Sequence, residues 1–228
     1  GVPIEHGMVT RAIERAQKQV EAQNFGVRKH LLEYDDVMNK QRESVYTLRR
    51  EILEGHVHLS EAELVDIRGY VLALSEDALE TLVERYAGKD LDVDEWDMDA
   101  LRREVGQTFA LDPEEVAALP IDELNTDEIG DAIWQRIKAS YEAKEQVAGP
   151  DALHQVEKHF LLQIVDAQWK DHLYSLDHLK EGIGLRGYGQ RDPLVEYKKE
   201  SYDLFQAMKD RIEDEMVRLV MRLRPVLG

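Results

Sequence analysis

From Val9 to Leu53 the chain runs without a proline, and its apolar residues recur at helical spacing: Val9, Ile13, Ala16, Val20, Val27, Leu31, Tyr34, Met38, Val45, Leu48 and Ile52. Steps of three, four and seven place them on one stripe of a helix. At 1.5 Å per residue such a helix would be roughly 68 Å long, more than a small domain can bury. A segment of this kind must serve several packing bodies along its length. Gly26 is its weakest interior position, and Gly55 is placed to end it.

Charge divides the 228 residues into three parts. Residues 1–56 hold nine acids and nine bases, residues 57–152 hold 25 acids and eight bases, and residues 153–228 hold 13 and 12. The net charge of −18 therefore resides almost wholly in the middle. This composition shift marks an inserted subdomain, and the acidity argues against nucleic acid as the main partner, since phosphate binding needs a basic face. There are no cysteines, which excludes disulfides and thiolate metal sites and suits a reducing compartment. No stretch reads as a membrane-spanning helix or a secretory leader, and the chain reads as a cytoplasmic piece excised from something longer.

The acidic middle reads as short helices with marked starts: Ser60 with Glu63, Asp112 with Pro113, and Asn125 with Glu128. Gly88, Pro120 and Gly149-Pro150 separate them, the aspartate-rich stretch 90–99 reads as a loop, and no strand is expected. From Asp151 a second long helix carries Leu153, Val156, Phe160, Ile164, Ala167 and Tyr174, and is expected to stop at four glycines within Gly182–Gly189. Asp192-Pro193 restarts a third helix bearing Tyr202, Phe205, Met208, Ile212, Met216, Leu219 and Leu223, which Arg224-Pro225 ends. Two helices joined this briefly form an antiparallel hairpin. The expected fold is all-α: one very long helix, a small inserted helical subdomain and a two-helix hairpin.

Chemical signatures are sparse. GIGLRG at 182–187 has the spacing of a dinucleotide fingerprint, but that motif works only after a strand and at the start of a helix. It reads better as a compact tip presenting Leu185, Arg186 and Tyr188. Asp35, Asp36 and Asn39 offer oxygen ligands for Mg²⁺, an exposed polar face or a partner surface. His172 and His178 are six residues apart, so with Asp171 and Asp177 they do not share a face as zinc ligands four apart do. No Walker A loop, nucleophile elbow or cysteine nucleophile occurs. No catalytic residue, cofactor site or metal site is expected, and Trp96, Trp134 and Trp169 are expected to pack in cores.

Residues 4–46, IEHGMVTRAIERAQKQVEAQNFGVRKHLLEYDDVMNKQRESVY, and residues 169–208, WKDHLYSLDHLKEGIGLRGYGQRDPLVEYKKESYDLFQAM, strongly resemble the C-terminal part of the SecA family, the motor ATPases of bacterial preprotein export. The resemblance implies a helical scaffold helix over 1–56, a helical wing domain over 57–152, and a two-helix finger with the end of the scaffold over 153–228. It implies Tyr188 as the finger-tip residue that contacts the moving polypeptide, with Leu185 and Arg186 beside it, and Arg28 and Asp35 as candidates for the face toward the motor domains. By the same resemblance the partners are the SecY channel, unfolded preprotein and the nucleotide-binding domains of the parent chain. ATP and Mg²⁺ belong to those absent domains, this piece hydrolyses nothing, and the parent associates peripherally with the inner face of the cell membrane. A stand-alone helical adaptor docking partners through its acidic wing is the alternative.

Overall fold

The structure, a computed structural model, describes residues 7–186 and 192–225. Helix α1 covers Gly7–Glu54, strands β1 and β2 cover His56–Ser60 and Glu63–Asp66, and α2 to α5 cover Ile67–Ala87, Met98–Phe109, Pro113–Ala117 and Thr126–Ala148. Helices α6, Pro150–Arg186, and α7, Pro193–Arg222, follow. The fold is all-α apart from the small hairpin. Backbone contacts divide it into two compact units, Gly1–Ser44 with Leu173–Phe205, and Val45–His172 with Gln206–Gly228. Each of α1, α6 and α7 thus contributes to both.

The first unit joins α1 to the facing ends of α6 and α7. Leu179, Ile183 and Tyr197 are buried there, with Tyr34, Val37 and Leu204 packed against them. Four other members of the α1 stripe in this unit, Ile13, Val20, Val27 and Leu31, are open to solvent at 49–55% exposure. Toward its C-terminal end the stripe is buried, at Val45 and Ile52 in the second unit. Helix α6 does not stop at the first glycine of the cluster but runs through Gly182 and Gly184 to Arg186. Each glycine weakens a helix interior by about 1 kcal/mol, a cost that burial of Ile183 between them offsets.

The second unit contains the acidic middle. Its core is built on Leu101, Phe109, Ile121, Ile129, Ile133, Ile137 and Tyr141, with Met208 and Met216 of α7. Gly55, at φ +86°, ends α1 with its N–H donating to Glu51 O at 2.9 Å. The next residues form an antiparallel hairpin that pairs Val57 with Val65 and Ser60 with Glu63. Ser60 and Glu63 are therefore strand partners, not a capping box. Val57 turns into the core, and Asp66 caps α2 by accepting from Gly69 N at 2.7 Å. The other expected starts hold: Asp112 accepts from Glu114 N at 2.9 Å before Pro113, and Asn125 and Glu128 cap each other reciprocally. The 90–99 stretch holds a short 3-10 turn at Val93–Glu95 before Asp97 caps α3.

The buried face of α6 differs from the expected one. Leu153 and Ile164 lie on it, but Val156, Ala167 and Tyr174 are exposed and their expected places go to Glu157, Leu161, Val165, Trp169, His172 and Leu176. On α7 the expected stripe is right from Phe205 through Met216, while Tyr202 is exposed and Ser201 is buried instead. Trp169 is a core residue; Trp96 and Trp134 are only half-buried, the latter with Lys138 Nζ 5.6 Å from its ring centre.

Polar groups converge where α2, α5, α6 and the end of α7 meet within the second unit. Tyr141 OH donates to Glu157 Oε2 at 3.1 Å, and Lys144 Nζ donates to the Met221 carbonyl. Arg68 pairs with Glu145 at 3.0 Å, and His154 Nε2 lies 2.9 Å from the same carboxylate. Burial, moderated by Tyr141, raises the Glu157 carboxyl to about 7, while burial and then Arg224 lower the Lys144 ammonium to about 8.

Two predictions follow from these burials. Leu31→Ala should change stability by less than about 0.5 kcal/mol, whereas Ile52→Ala, at a fully buried site, should cost roughly 2–5 kcal/mol in urea unfolding. For Glu157, the folded chain holds its proton to about pH 7 while the unfolded chain releases it in the ordinary carboxylate range, so its contribution to stability falls as pH rises between those limits. Lys144 has the opposite slope above about pH 8, where the unfolded chain binds the extra proton. Glu157→Gln should remove this loss on raising the pH, a difference of up to roughly 3 kcal/mol between pH 5 and 8. Parallel pH–stability curves for the two proteins would contradict that assignment.

Candidate functional site

The expected site residues fall on the first unit. Leu185 and Arg186 close the last turn of α6, and Tyr188 lies outside the described residues. Arg28 is exposed on α1. Asp35, seven residues on, lies two turns further along nearly the same face. The structure commits Asp35 to a contact the sequence does not reveal: its Oδ1 accepts from Lys180 Nζ of α6 at 3.3 Å. The ammonium of Lys180 also lies 5.9 Å from the ring centre of Tyr34.

These contacts lie at the end of the hairpin where α6 gives way to α7, just behind Leu185 and Arg186. Tyr34 meets Tyr197 with ring centroids 4.7 Å apart and planes at 60°, a tilted packing favoured by aromatic quadrupoles. Two turns along α1, Gln41 Nε2 donates to the Ser201 carbonyl at 3.1 Å, and the Ser201 hydroxyl donates to Lys198 O at 3.0 Å. Burial first, then Asp177 and Asp35, raises the Tyr197 phenol; burial and Asp192 raise that of Tyr34. Both rings stay neutral at physiological pH and act as packing surfaces with a polar edge. The arrangement fixes the hairpin on α1 by an apolar cluster, the hydrogen bond from the Gln41 side chain to the Ser201 carbonyl and the exposed Asp35–Lys180 pair.

The other candidate constellations do not assemble. Asp35 accepts from Lys180 and Asn39 accepts from Arg42 at 3.3 Å, so two of the three oxygen-bearing side chains at 35, 36 and 39 already face a cation of the protein itself. His172 is buried with its ring 5.6 Å from that of Trp169, and burial and then Arg211 hold its imidazole down at about 4; His178 is exposed. Among the described residues no three His, Cys, Asp or Glu side chains are placed to hold a metal ion. Gly182 and Gly184 of the GIGLRG stretch sit within α6, not between a strand and a helix.

Lys180, Tyr197 and Ser201 are the site residues that sequence reasoning missed. Continuing the α7 spacing backward from Phe205 would have reached Ser201 and Tyr197, but Ser201 reads as a polar interruption. Lys180 and Asp35 are 145 positions apart, and no local signal joins them.

Residues 3–224 match the family model of the SecA wing and scaffold domain. The protein translocase subunit SecA of Koribacter versatilis (strain Ellin345) is 48% identical over 218 residues, covering 96% of this chain and 21% of the relative. That of Solibacter usitatus (strain Ellin6076) is 46% identical over 229 residues, covering 100% and 22%, and that of Heliobacterium modesticaldum (strain ATCC 51547 / Ice1) is 40% identical over 227 residues, covering 100% and 26%. The chain thus spans about a fifth to a quarter of the length of these curated relatives. With the match running through both the long helix and the helical hairpin, the chain belongs to the SecA wing and scaffold family.

Proposed function

We propose that this chain is the scaffold, wing and finger portion of a SecA-type motor that uses ATP to drive preproteins through the SecY channel. In this reading the tip formed by Leu185, Arg186 and Tyr188 grips the moving polypeptide. The nucleotide-binding domains, which carry ATP and Mg²⁺, belong to the remainder of the parent, and α1 receives them along the face that bears Arg28. The parent works from the cytoplasm at the inner face of the membrane; among the described residues, no helix of this chain is long and apolar enough to cross one.

The observation that carries this reading is the joint between the hairpin and α1. A tip that pushes on a polypeptide needs a support close behind it that does not yield. Leu179 and Ile183 of α6 and Tyr197 of α7 supply one by burying themselves against Tyr34 and Val37 of α1. The exposed pair of Asp35 and Lys180 adds little energy, since such pairs contribute about 0–1 kcal/mol, but it favours one orientation of the helices. Beyond the joint, Ile13, Val20, Val27 and Leu31 leave the apolar stripe of α1 open, as a helix that packs on further domains would, and Phe25 and Leu32 are exposed on another side of it.

Two measurements test the proposal. The isolated chain should bind no ATP in a calorimetric titration; micromolar binding would remove the assignment of all nucleotide chemistry to the absent domains. Tyr188→Ala should leave the unfolding free energy of the chain within about 0.5 kcal/mol, as at most surface sites. The same change in the full-length protein should impair translocation of a preprotein into SecY-containing vesicles. Undiminished translocation would rule out the grip.

A further inference from the structure

We propose that the groove lined by α2, α3 and α7 in the second unit is a binding site for a primary ammonium carried on an aliphatic stem, the chemistry shared by lysine side chains and polyamines.

The groove has a volume of about 500 Å³. Its apolar lining comes from Leu74, Ala78 and Leu82 of α2, a surface on which methylene groups can lie. Its acidic lining comes from Asp77 of α2, Glu104 of α3, and Asp210, Glu213 and Asp214 of α7. Asp214 is engaged by Arg218 at 2.9 Å; the other four carboxylates make no salt bridge among the described residues. Arg85 is the remaining cation on the lining, and its guanidinium lies 6.0 Å from the ring centre of Tyr86. Partial burial chiefly raises the Glu213 carboxyl above its ordinary range; Lys209 opposes the rise, and Asp210 and Asp77 add smaller contributions to it.

Acidity alone would describe much of this surface. What singles out the groove is Thr108, in the last turn of α3. Thr108 lines it, is 2% exposed, and its hydroxyl has no hydrogen-bond partner. A hydroxyl left unpaired at such burial is costly and uncommon, and a donor entering the groove would satisfy it. An ammonium has three N–H donors and no acceptor, so it can bond a carboxylate and a hydroxyl together while its stem covers the leucines. A guanidinium, a planar fork suited to bidentate pairing, gains less from one isolated hydroxyl.

The test is calorimetric titration of the chain with spermine and with N-acetyl-tetralysine, at low and at physiological salt. Asp210→Asn combined with Glu213→Gln should weaken the tighter-binding probe about tenfold, and the near-isosteric Thr108→Val should weaken it severalfold. Asp90→Asn with Asp94→Asn, which removes the same charge from the loop before α3, should leave affinity unchanged. Circular dichroism and thermal unfolding check that each variant is folded. Tighter binding of tetralysine would identify the ligand as a polypeptide segment, and tighter binding of spermine a free polyamine. Equal weakening by both charge-removing pairs, or none by either, would show only diffuse attraction to a chain of charge −18 and would overturn the site. Full affinity in a folded Thr108→Val protein would overturn the role of the unpaired hydroxyl.

Discussion

The contact of Tyr34 with Tyr197, flanked by Leu179 and Ile183, is the one on which the first unit depends. Much of α1 in this unit offers its apolar residues to solvent, so little else holds the helix to the hairpin. An exposed ion pair between Asp35 and Lys180 could not do so alone, because solvent screens it and the long Lys180 side chain must be ordered to make it. Aromatic and aliphatic burial provides the adhesion, and the polar contacts of Gln41, Ser201 and Lys180 set the register.

The second unit meets a different demand. Its acidic sequence builds an ordinary apolar core of isoleucines, leucines and one wholly buried tyrosine, and keeps the carboxylates outside. Glu157 is the exception. Buried beside Tyr141, it has one oxygen bonded and the other without a partner, a cost that protonation relieves. The cluster of Arg68, Tyr141, Lys144, Glu145 and His154 around it occupies a place where apolar packing would be simpler, and its pH response is a consequence of that choice.

The parts of this fold legible in the sequence were those written in local chemistry. The proline-free stripe gave α1, Gly55 its end, and the caps at Asp112 and Asn125 the starts of two helices, because each signal acts within a few residues. The β-hairpin escaped notice because its strands are five and four residues long and only Val57 faces the core fully. The buried face of α6 was misread because Glu157 and His172, polar by type, occupy core positions, and tertiary partners rather than composition decide that. The same reasoning missed the base of the candidate site. Tyr34 and Asp35 could be singled out locally, but their partners Tyr197 and Lys180 come from helices far along the chain. That Leu31 is exposed could not be read from the stripe, because periodicity reports which residues share a face, not what covers it.

The central claim is that the hairpin does its work through a firm joint on α1. The direct test is the amount of polypeptide translocated per ATP hydrolysed by the full-length protein carrying Tyr197→Ala, compared with Tyr202→Ala, which alters an exposed tyrosine on the same helix. The joint predicts that Tyr197→Ala lowers this ratio while hydrolysis continues, and that Tyr202→Ala leaves it unchanged. An undiminished ratio with Tyr197→Ala, in a protein whose unfolding shows that the joint is weakened, would contradict the account.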